Sequence, residues 1–288
     1  MGSTVVQAII NGMMIGAIYA LLGMGLNVIF GVMKIINFCQ GELLMLGMYL
    51  SYIFNTVFKL DPYISFPLVA IIMFGVGAAI QAGLITPSLK SSDVSNILFI
   101  TVGLSILLQN FALIAFSSDY RSITTPYSQE TLGLLGQTVS FAKLVSFCAT
   151  IVVTILLFLL LKYTQIGKQI RATSQNTMGA RLVGIKTSWV YAATCGIGVA
   201  IAGIAGSFLL PFYYVFPTVG APYGMMGFIA VVVGGLGNIP GAFFAGLLVG
   251  LLETLGSLIV GPALKDTVVF LSFILILVVR QNVKIRQG

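Results

Sequence analysis

The stretch from Ile151 to Leu161 reads IVVTILLFLLL, with ten apolar residues and a single threonine. A second stretch, from Val268 to Val279, reads VVFLSFILILVV. Neither alternates between apolar and polar residues, as the strands of a membrane barrel do over about ten residues. Because the backbone must pair its hydrogen bonds internally in lipid, continuous apolar runs of this kind predict transmembrane helices.

Composition extends this prediction to the whole chain. Of its 288 residues, 58% are hydrophobic and only 7% are charged, against about 25% charged residues in an average soluble domain. So few charges cannot cover the surface of a soluble domain of this length, and membrane lipid must therefore surround most of it. We predict an all-α fold, a polytopic transmembrane helix bundle that forms a single domain over residues 1–288.

The polar breaks along the chain divide it into candidate membrane segments. A helix needs about 20 residues to cross a bilayer, and the apolar stretches that approach this length are 4–31, 42–58, 63–85, 96–116, 141–162, 188–216, 222–236, 241–261 and 264–280. The segment 222–236 is short for a full crossing, so it and 241–261 either cross twice or form a re-entrant hairpin. The prediction is eight or nine membrane helical segments.

The basic residues predict the orientation of these segments. If successive segments cross in turn, ten basic residues fall on one side: Lys34, Lys90, Lys162, Lys168, Arg171, Arg181, Lys186, Arg280, Lys284 and Arg286. Four fall on the other side: Lys59, Arg121, Lys143 and Lys265. Since cytoplasmic loops carry the excess of Lys and Arg, we predict an external N-terminus and a cytoplasmic C-terminus. The net charge of +7 thus reflects membrane topology and indicates no nucleic-acid partner.

Several classes of enzyme are excluded by the residue types. The chain has no histidine, which rules out Ser-His-Asp and Cys-His sites, and it has no paired carboxylates or metal-ligand spacing. Its Gly167-Lys168 pair lacks the upstream glycine of a phosphate-binding loop. We therefore predict no catalytic residue, no metal and no enzyme activity. The cysteines read as small packing residues: Cys39, Cys148 and Cys195.

Small residues recur at four-residue spacing inside the predicted segments. Such spacing lets helix backbones approach closely in lipid, and we interpret it as tight packing within the bundle. The residues concerned are Gly12 with Gly16, then Gly198, Ala202 and Gly206, and finally Ala242, Gly246 and Gly250.

Two acidic residues lie within or at the edge of predicted membrane segments. Glu42 follows Gly41 at the start of its segment, where it either complements the positive end of the helix dipole or faces a cavity. Glu253 lies deeper in its segment, where a charge costs about 2.5–3.5 kcal/mol on insertion scales and usually faces a cavity or a partner. Two acids without a histidine make a poor proton relay.

The loop 163–187 is the longest on the predicted cytoplasmic side. Apolar residues recur in it near helical spacing, and Gly184 is placed to end a helix. The pattern predicts a short amphipathic helix, which either lies on the membrane surface or docks to a cytoplasmic partner. The apolar residues of this pattern are Ile170, Met178, Leu182 and Ile185.

Four stretches of the chain, in this order and spacing, resemble the permeases of branched-chain amino-acid ABC importers. They read NGMMIGAIYALLGMGL at 11–26, FGVMKIINFCQGELLMLGMY at 30–49, RATSQNTMGARLVGI at 171–185 and GFIAVVVGGLGNIPGA at 227–242. Two features depart from the family pattern. Many members have histidine where this chain has Gln40, and many carry Arg-Pro where Arg280 is followed by Gln281.

The resemblance implies one permease subunit of an ATP-driven importer in a bacterial cytoplasmic (inner) membrane. Its partners would be a second related permease, two cytoplasmic ATPases that hold ATP and Mg, and an extracytoplasmic solute-binding protein. This chain would carry no cofactor of its own. Segment 168–185 would dock in an ATPase groove through the coupling residues Arg171, Ala172, Asn176, Met178, Ala180, Arg181, Leu182 and Gly184.

The implied substrate is a branched-chain or other neutral amino acid, which passes by alternating access between the two permeases. The broken segments 37–41 and 234–241 suit such a path, because irregular backbone in a membrane protein lines cavities, and we interpret them as related by an inverted repeat. The predicted path residues are Asn37, Gln40, Gly41, Glu42, Gly234, Gly235, Asn238 and Glu253. The alternatives are import of urea, short amides or sugars by the same architecture, and a secondary transporter that works alone.

Overall fold

A computed structural model describes residues 2–88, 95–128, 130–134 and 137–285 of the chain. The helices of its first part are α1 (Gly2–Met33), α2 (Gln40–Phe58), α3 (Pro62–Ile80), α4 (Thr86–Ser88), α5 (Ser95–Phe116) and α6 (Phe141–Tyr163). Those of its second part are α7 (Gln165–Gln175), α8 (Thr177–Leu182), α9 (Thr187–Leu209), α10 (Gly220–Gly234), α11 (Ile239–Val260) and α12 (Lys265–Ile285). The strands β1 (Thr131–Leu134) and β2 (Gln137–Ser140) form an antiparallel hairpin before α6.

Within these described ranges, seven helical segments are long and apolar enough to cross a membrane. They are α1, then α3 with the π-turn and α4 that continue it, and then α5, α6, α9, α11 and α12. The shorter α10 and the more polar α2 pack among them. The all-α, polytopic helix bundle is therefore confirmed, whereas the count of eight or nine membrane segments stays a prediction.

The ambiguous pair 222–236 and 241–261 forms two separate helices, α10 and α11, joined by a tight turn over 235–238. The turn begins at Gly235, whose φ of 98° lies in the region that favours glycine. It ends at Asn238, whose side chain accepts a hydrogen bond of 3.1 Å from the backbone N–H of Gly241. Pro240 in the first turn of α11 needs no N–H donor there. Local sequence chemistry thus explains both the break and the restart.

Two helices form the centre of the bundle. Most residues of α1 and α9 are buried within the chain, whereas α5 and α12 are mainly exposed at its edge. The most extensive packing joins α1 to α11 and α3 to α9, and α1 and α9 also pack on each other. The end where α1 and α6 finish, and where α7 and α8 lie, is called here the predicted cytoplasmic end.

The stripes of small residues lie in these central contacts, which confirms their interpretation as close-packing positions. A Cβ atom added to Gly246 on α11 would lie 2.4 Å from the Cα of Ala20 on α1. One added to Gly250 would lie 2.4 Å from the Cα of Gly16, and one added to Gly206 on α9 would lie 2.3 Å from the carbonyl oxygen of Leu44 on α2. Only glycine allows these backbones to approach so closely.

The two halves of the bundle pack in matching ways. The contact between α1 and α11 corresponds to the contact between α9 and α3. The contact between α1 and α10 corresponds to the contact between α9 and α2, and α2 and α10 pack on each other. This pattern matches the break before α2 with the break before α10, rather than with the segment 234–241 that the sequence suggested. The inverted repeat stays a prediction, and the packing supports it with this different pairing of segments.

Candidate functional site

The starts of two helices meet in the interior of the bundle, at Gly41 of α2 and Gly220 of α10. A Cβ atom added to Gly41 would lie 2.2 Å from the carbonyl oxygen of Gly220, and one added to Gly220 would lie 2.3 Å from that of Gly41. Neither N-cap residue, Cys39 or Val219, caps its helix with a side chain. First-turn N–H groups lack partners within a helix, so this junction gathers the positive ends of two helix dipoles.

A cavity of about 360 Å³ lies at this junction. It is bounded by α1, the break before α2, α2 itself, α5 and α10. Its polar lining residues are Asn37, Gln40, Glu42, Ser105 and Gln109. Its larger apolar lining residues are Leu26, Ile36, Phe38, Val102, Met225 and Phe228. An apolar pocket with a few convergent polar groups is the usual form of a small-molecule site.

Within the part of the chain that the structure describes, Asn37 and Gln40 carry polar atoms without a hydrogen-bond partner. Both side chains are buried, with 2% and 1% of their surfaces exposed. Asn37 Oδ1 accepts a 3.3 Å hydrogen bond from the N–H of Cys39, and Gln40 Nε2 donates a 3.0 Å bond to the carbonyl of Gly198. Asn37 Nδ2 and Gln40 Oε1 remain unpaired. Buried polar atoms are nearly always satisfied, and these two unpaired atoms belong to residues that line the cavity, which makes the cavity a candidate site for a polar molecule.

Glu42 places a carboxylate in the same cavity. Only 3% of its surface is exposed, and its Oε1 accepts a 2.9 Å hydrogen bond from Nε2 of Gln109 on α5. It belongs to the first turn of α2 and also lines the cavity. The two interpretations of Glu42 from the sequence, a dipole partner and a cavity residue, therefore describe one geometry. Gln109 was not among the predicted site residues, although a glutamine inside an apolar segment is a usable signal.

The predicted path residues of the α10–α11 turn lie elsewhere, at the predicted cytoplasmic end. Asn27 of α1 holds this turn: its Nδ2 donates to the carbonyls of Gly235 and Asn238, at 3.2 and 2.9 Å. Its Oδ1 accepts a 2.8 Å bond from the N–H of Gly237. Gly234 ends α10 directly before the turn. Asn27, a fully buried amide in a mainly apolar helix, was not among the predicted site residues.

This turn shares a second cavity, of about 410 Å³, with α6 and α7. Asn27, Asn238, Lys162, Arg171 and Ser174 are among its lining residues. The structure thus joins Asn238 to the predicted coupling segment and separates it from Asn37. α1 packs on α7 and also holds the α10–α11 turn through Asn27, so α1 connects the two.

Glu253 occupies a third place, between α11, α1 and the start of α12. Its Oε2 accepts a 2.6 Å hydrogen bond from the hydroxyl of Tyr19, and its Oε1 forms an ion pair with Lys265. Neither partner is among the residues that line the cavity at the α2–α10 junction. The structure therefore does not bring Glu253 together with Asn37, Gln40, Gly41 or Glu42.

The coupling segment forms two helices where the sequence predicted one. The first, α7, ends at Gln175, and Asn176 begins α8 by accepting a 2.8 Å hydrogen bond from the N–H of Gly179. Asparagine is a strong N-cap and favours such a restart, so the prediction of a single helix was wrong. Gly184, with a φ of 84°, ends α8, as predicted.

The apolar residues of this segment divide between two faces. Ala180 is buried in the chain, with 4% of its surface exposed, and Ile170 is buried as well. Met178 and Leu182 are exposed, at 67% and 82%, and Val183 extends the same surface. The side chain of Ala180 therefore faces its own bundle, and its role in coupling stays a prediction.

The remaining predicted coupling residues are held locally. Arg171 Nη2 donates a 3.2 Å bond to the carbonyl of Lys162, and Arg181 Nε donates a 3.1 Å bond to the hydroxyl of Thr187. Ala172 is half-buried on α7. These contacts tie α7 and α8 to the ends of α6 and α9.

Known proteins of one family match nearly the full length of the chain. The family model for the permease component of branched-chain amino acid transport systems matches residues 8–279. The "High-affinity branched-chain amino acid transport system permease protein BraD" of Pseudomonas aeruginosa is 30% identical, over 95% of this chain and 93% of that protein. The protein of the same description named LivH, from Escherichia coli K12, is 32% identical over 95% of this chain and 92% of that protein.

A third relative covers a smaller share of the chain. The "Probable branched-chain amino acid transport permease protein LivH" of Methanocaldococcus jannaschii is 30% identical over 82% of this chain and 76% of that protein. No solved structure matches the chain. The resemblance noted in four short stretches thus extends along nearly the full length. The chain belongs to the family of permease components of branched-chain amino acid transport systems.

Proposed function

We propose that this chain is the transmembrane permease subunit of an ATP-driven importer that moves branched-chain or other neutral amino acids into the cell. The cavity at the α2–α10 junction carries the proposal. It combines buried Asn37, Gln40 and Glu42 with apolar walls, in a chain of a branched-chain amino acid transport family. The solute passes this cavity by alternating access, at the interface with a second related permease.

The energy for transport comes from ATP hydrolysis on other chains. The sequence contains no phosphate-binding loop and no histidine, and the relatives are described as permease proteins of transport systems. Two cytoplasmic ATPases hold ATP and Mg, and an extracytoplasmic binding protein delivers the solute. The complex lies in the bacterial inner membrane, with the N-terminus of this chain outside and its C-terminus inside, as the excess of basic residues on one side supports.

The eight predicted path residues divide into three groups in this proposal. Asn37, Gln40, Gly41 and Glu42 line the path itself. The α10–α11 turn, with Gly234, Gly235 and Asn238, transmits motion at the predicted cytoplasmic end, since it shares a cavity with α7. Glu253 is left out of the path, because Tyr19 and Lys265 already pair its carboxylate.

The exposed face of α8 provides the contact with an ATPase. Met178, Leu182 and Val183 present an apolar surface at the predicted cytoplasmic end, and amphipathic helices commonly insert such surfaces into grooves. The Asn176 cap and the Gly184 stop make α8 a defined, short element. Its packing on α7 and α9 then carries ATPase motion into the bundle.

Uptake by the reconstituted importer tests the function. We expect labelled leucine to accumulate in vesicles only with ATP and binding protein. Equilibration of leucine without ATP would favour a stand-alone transporter. Accumulation of labelled urea in place of leucine would favour the other substrate class.

A further inference from the structure

The cavity at the α2–α10 junction presents groups of opposite sign to one small volume. Glu42 contributes a carboxylate. Gly41 and Ala221, from the first turns of α2 and α10, line the same cavity, and both helices begin there without a side-chain cap, at the positive ends of two helix dipoles. The buried, unpaired Nδ2 of Asn37 adds a donor. A free amino acid carries the complementary pair of charges, an ammonium and a carboxylate, on one carbon atom.

We propose that this cavity is a binding subsite for the zwitterionic head of a free amino acid. The ammonium group of the solute pairs with Glu42. Its carboxylate accepts hydrogen bonds from Asn37 Nδ2 and from first-turn N–H groups where Gly41 and Gly220 meet. This inference rests on the proposed function, because it assigns a recognition role in the permease itself, in addition to that of the binding protein.

The apolar walls suit the side chain of such a solute. Ile36, Phe38 and Val102 line the cavity together with Met225 and Phe228. The rings of Phe38 and Phe228 lie 6.1 Å apart, centroid to centroid. The volume of about 360 Å³ lies at the small end of the range for ligand pockets, which is about 300–1,000 Å³. Urea and short amides carry no charge and would leave Glu42 without a partner of opposite sign.

A purely structural role for Glu42 explains less of this geometry. As a partner of the helix dipole, Glu42 serves α2, in whose first turn it lies. The start of α10 has no acidic residue in its first turn and no side-chain cap. The unpaired Nδ2 of Asn37 is also left unexplained. The carboxylate of a bound amino acid satisfies both groups at once.

Protection of an introduced cysteine tests the subsite without the binding protein. Cys39, Cys148 and Cys195 are first replaced, and Ser105→Cys places a thiol in the cavity wall of the assembled importer. The rate of alkylation by a maleimide is then measured with increasing L-leucine. We expect leucine to slow alkylation, and we expect no effect at equal concentration from 4-methylpentanoate, which lacks the ammonium, or from 3-methylbutylamine, which lacks the carboxylate.

Two substitutions in this background locate the charges. Glu42→Gln, which keeps an acceptor for Gln109, and Asn37→Leu should each raise the half-protecting leucine concentration by about tenfold or more, as the loss of a hydrogen bond to a charged group predicts. The matched control is Gln81→Met. Gln81 is also a buried amide with an unpaired Oε1, but it lies in the π-turn after α3, bonded to Thr86. The Gln81→Met substitution should leave the half-protecting leucine concentration unchanged.

The outcomes separate this inference from the proposed function. If leucine does not slow alkylation in an importer that shows ATP-dependent leucine uptake, the subsite alone is overturned. Equal protection by leucine and 4-methylpentanoate would overturn the pairing with Glu42, as would an equal shift in the Gln81→Met control. Loss of ATP-dependent uptake in the unmodified complex would contradict the proposed function instead. If Glu42→Gln fails to assemble, the analogue series on the Ser105→Cys protein still decides.

Discussion

At the scale of single residues, the buried carboxylate of Glu253 shows how the bundle handles charge. Tyr19 from α1 and Lys265 from the start of α12 both bind it. Lys265 is 41% exposed at its side chain, whereas Glu253 is 5% exposed. Removal of a partner from a buried charge is costly because the desolvation cost of that charge remains. Glu253 therefore connects three helices through polar contacts.

We predict that Lys265→Met destabilises the folded protein by about 1–3 kcal/mol, since it leaves Glu253 with Tyr19 as its partner. The partial exposure of Lys265 places the effect toward the lower end of this range. Thermal unfolding in detergent measures it. The double variant Lys265→Met with Glu253→Gln should recover most of the loss, because it removes the unpaired charge. A double variant as unstable as the single one would contradict this account.

Polar residues inside apolar segments were the residue-scale signal for the candidate site. Glu42, Asn37 and Gln40 stood out because they follow a break at the edge of a segment. Asn27, Gln109 and Tyr19 also lie within apolar runs, but no break beside them in the sequence marked them as part of a site. Their importance depends on partners far away in sequence, such as the 2.9 Å bond between Gln109 and Glu42.

At the scale of elements, the contact between α1 and α11 depends on glycine. We predict that Gly246→Ala weakens this contact and lowers stability by about 1–3 kcal/mol, the usual cost of overpacking. The new Cβ atom would otherwise lie 2.4 Å from the Cα of Ala20. Gly75→Ala on α3 is the matched control, because no atom of the described residues lies within 4 Å of its added Cβ atom. Comparison of the unfolding temperatures of the two variants checks this, and equal values would contradict it.

The exposed face of the short helix α8 is predicted to contact the ATPase subunits. Leu182→Glu should reduce co-purification of the ATPase subunits by about tenfold or more, because a charge would enter an apolar groove. Leu132→Glu in β1 is the control: it adds the same charge at an exposed leucine on the predicted external side. Binding-protein-stimulated ATP hydrolysis gives a second readout. Normal co-purification and hydrolysis in the Leu182→Glu complex would show that α8 is not the coupling element.

At the scale of the whole molecule, the topology is open to direct measurement. Single cysteines at Ser128, in the loop before β1, and at Gln175, at the end of α7, should react with an impermeant maleimide from opposite sides of the membrane. We expect Ser128→Cys to label in intact cells and Gln175→Cys to label only after permeabilisation. Equal labelling of both from outside would contradict the orientation derived from the basic residues.

The arrangement of the whole bundle also decides which broken segments work together. The sequence suggested that 37–41 and 234–241 form one site, because each combines glycine with an amide. In the structure the first segment meets Gly220 at the cavity, and the second joins Asn27 and α7 at the predicted cytoplasmic end. The first break therefore belongs to the proposed subsite, and the second lies beside the proposed coupling segment.

The sequence by itself determined the features that depend on local composition and spacing. Hydropathy determined the helical membrane fold, the glycine stripes predicted close packing, and Gly184 marked the end of α8. Each of these follows from residues within a few turns of one another, whose physical preferences act without a distant partner.

Only the tertiary structure decided which surfaces and breaks come together. It turned Ala180 inward and Leu182 outward, divided the coupling segment at Asn176, and brought the start of α2 to the start of α10. It also bound Gln40 to Gly198, 158 positions along the chain. In a bundle where nearly every segment is apolar, hydropathy cannot distinguish one helix neighbour from another. The choice of neighbour depends on the fit of small residues against distant backbone, which requires the folded arrangement of all the helices.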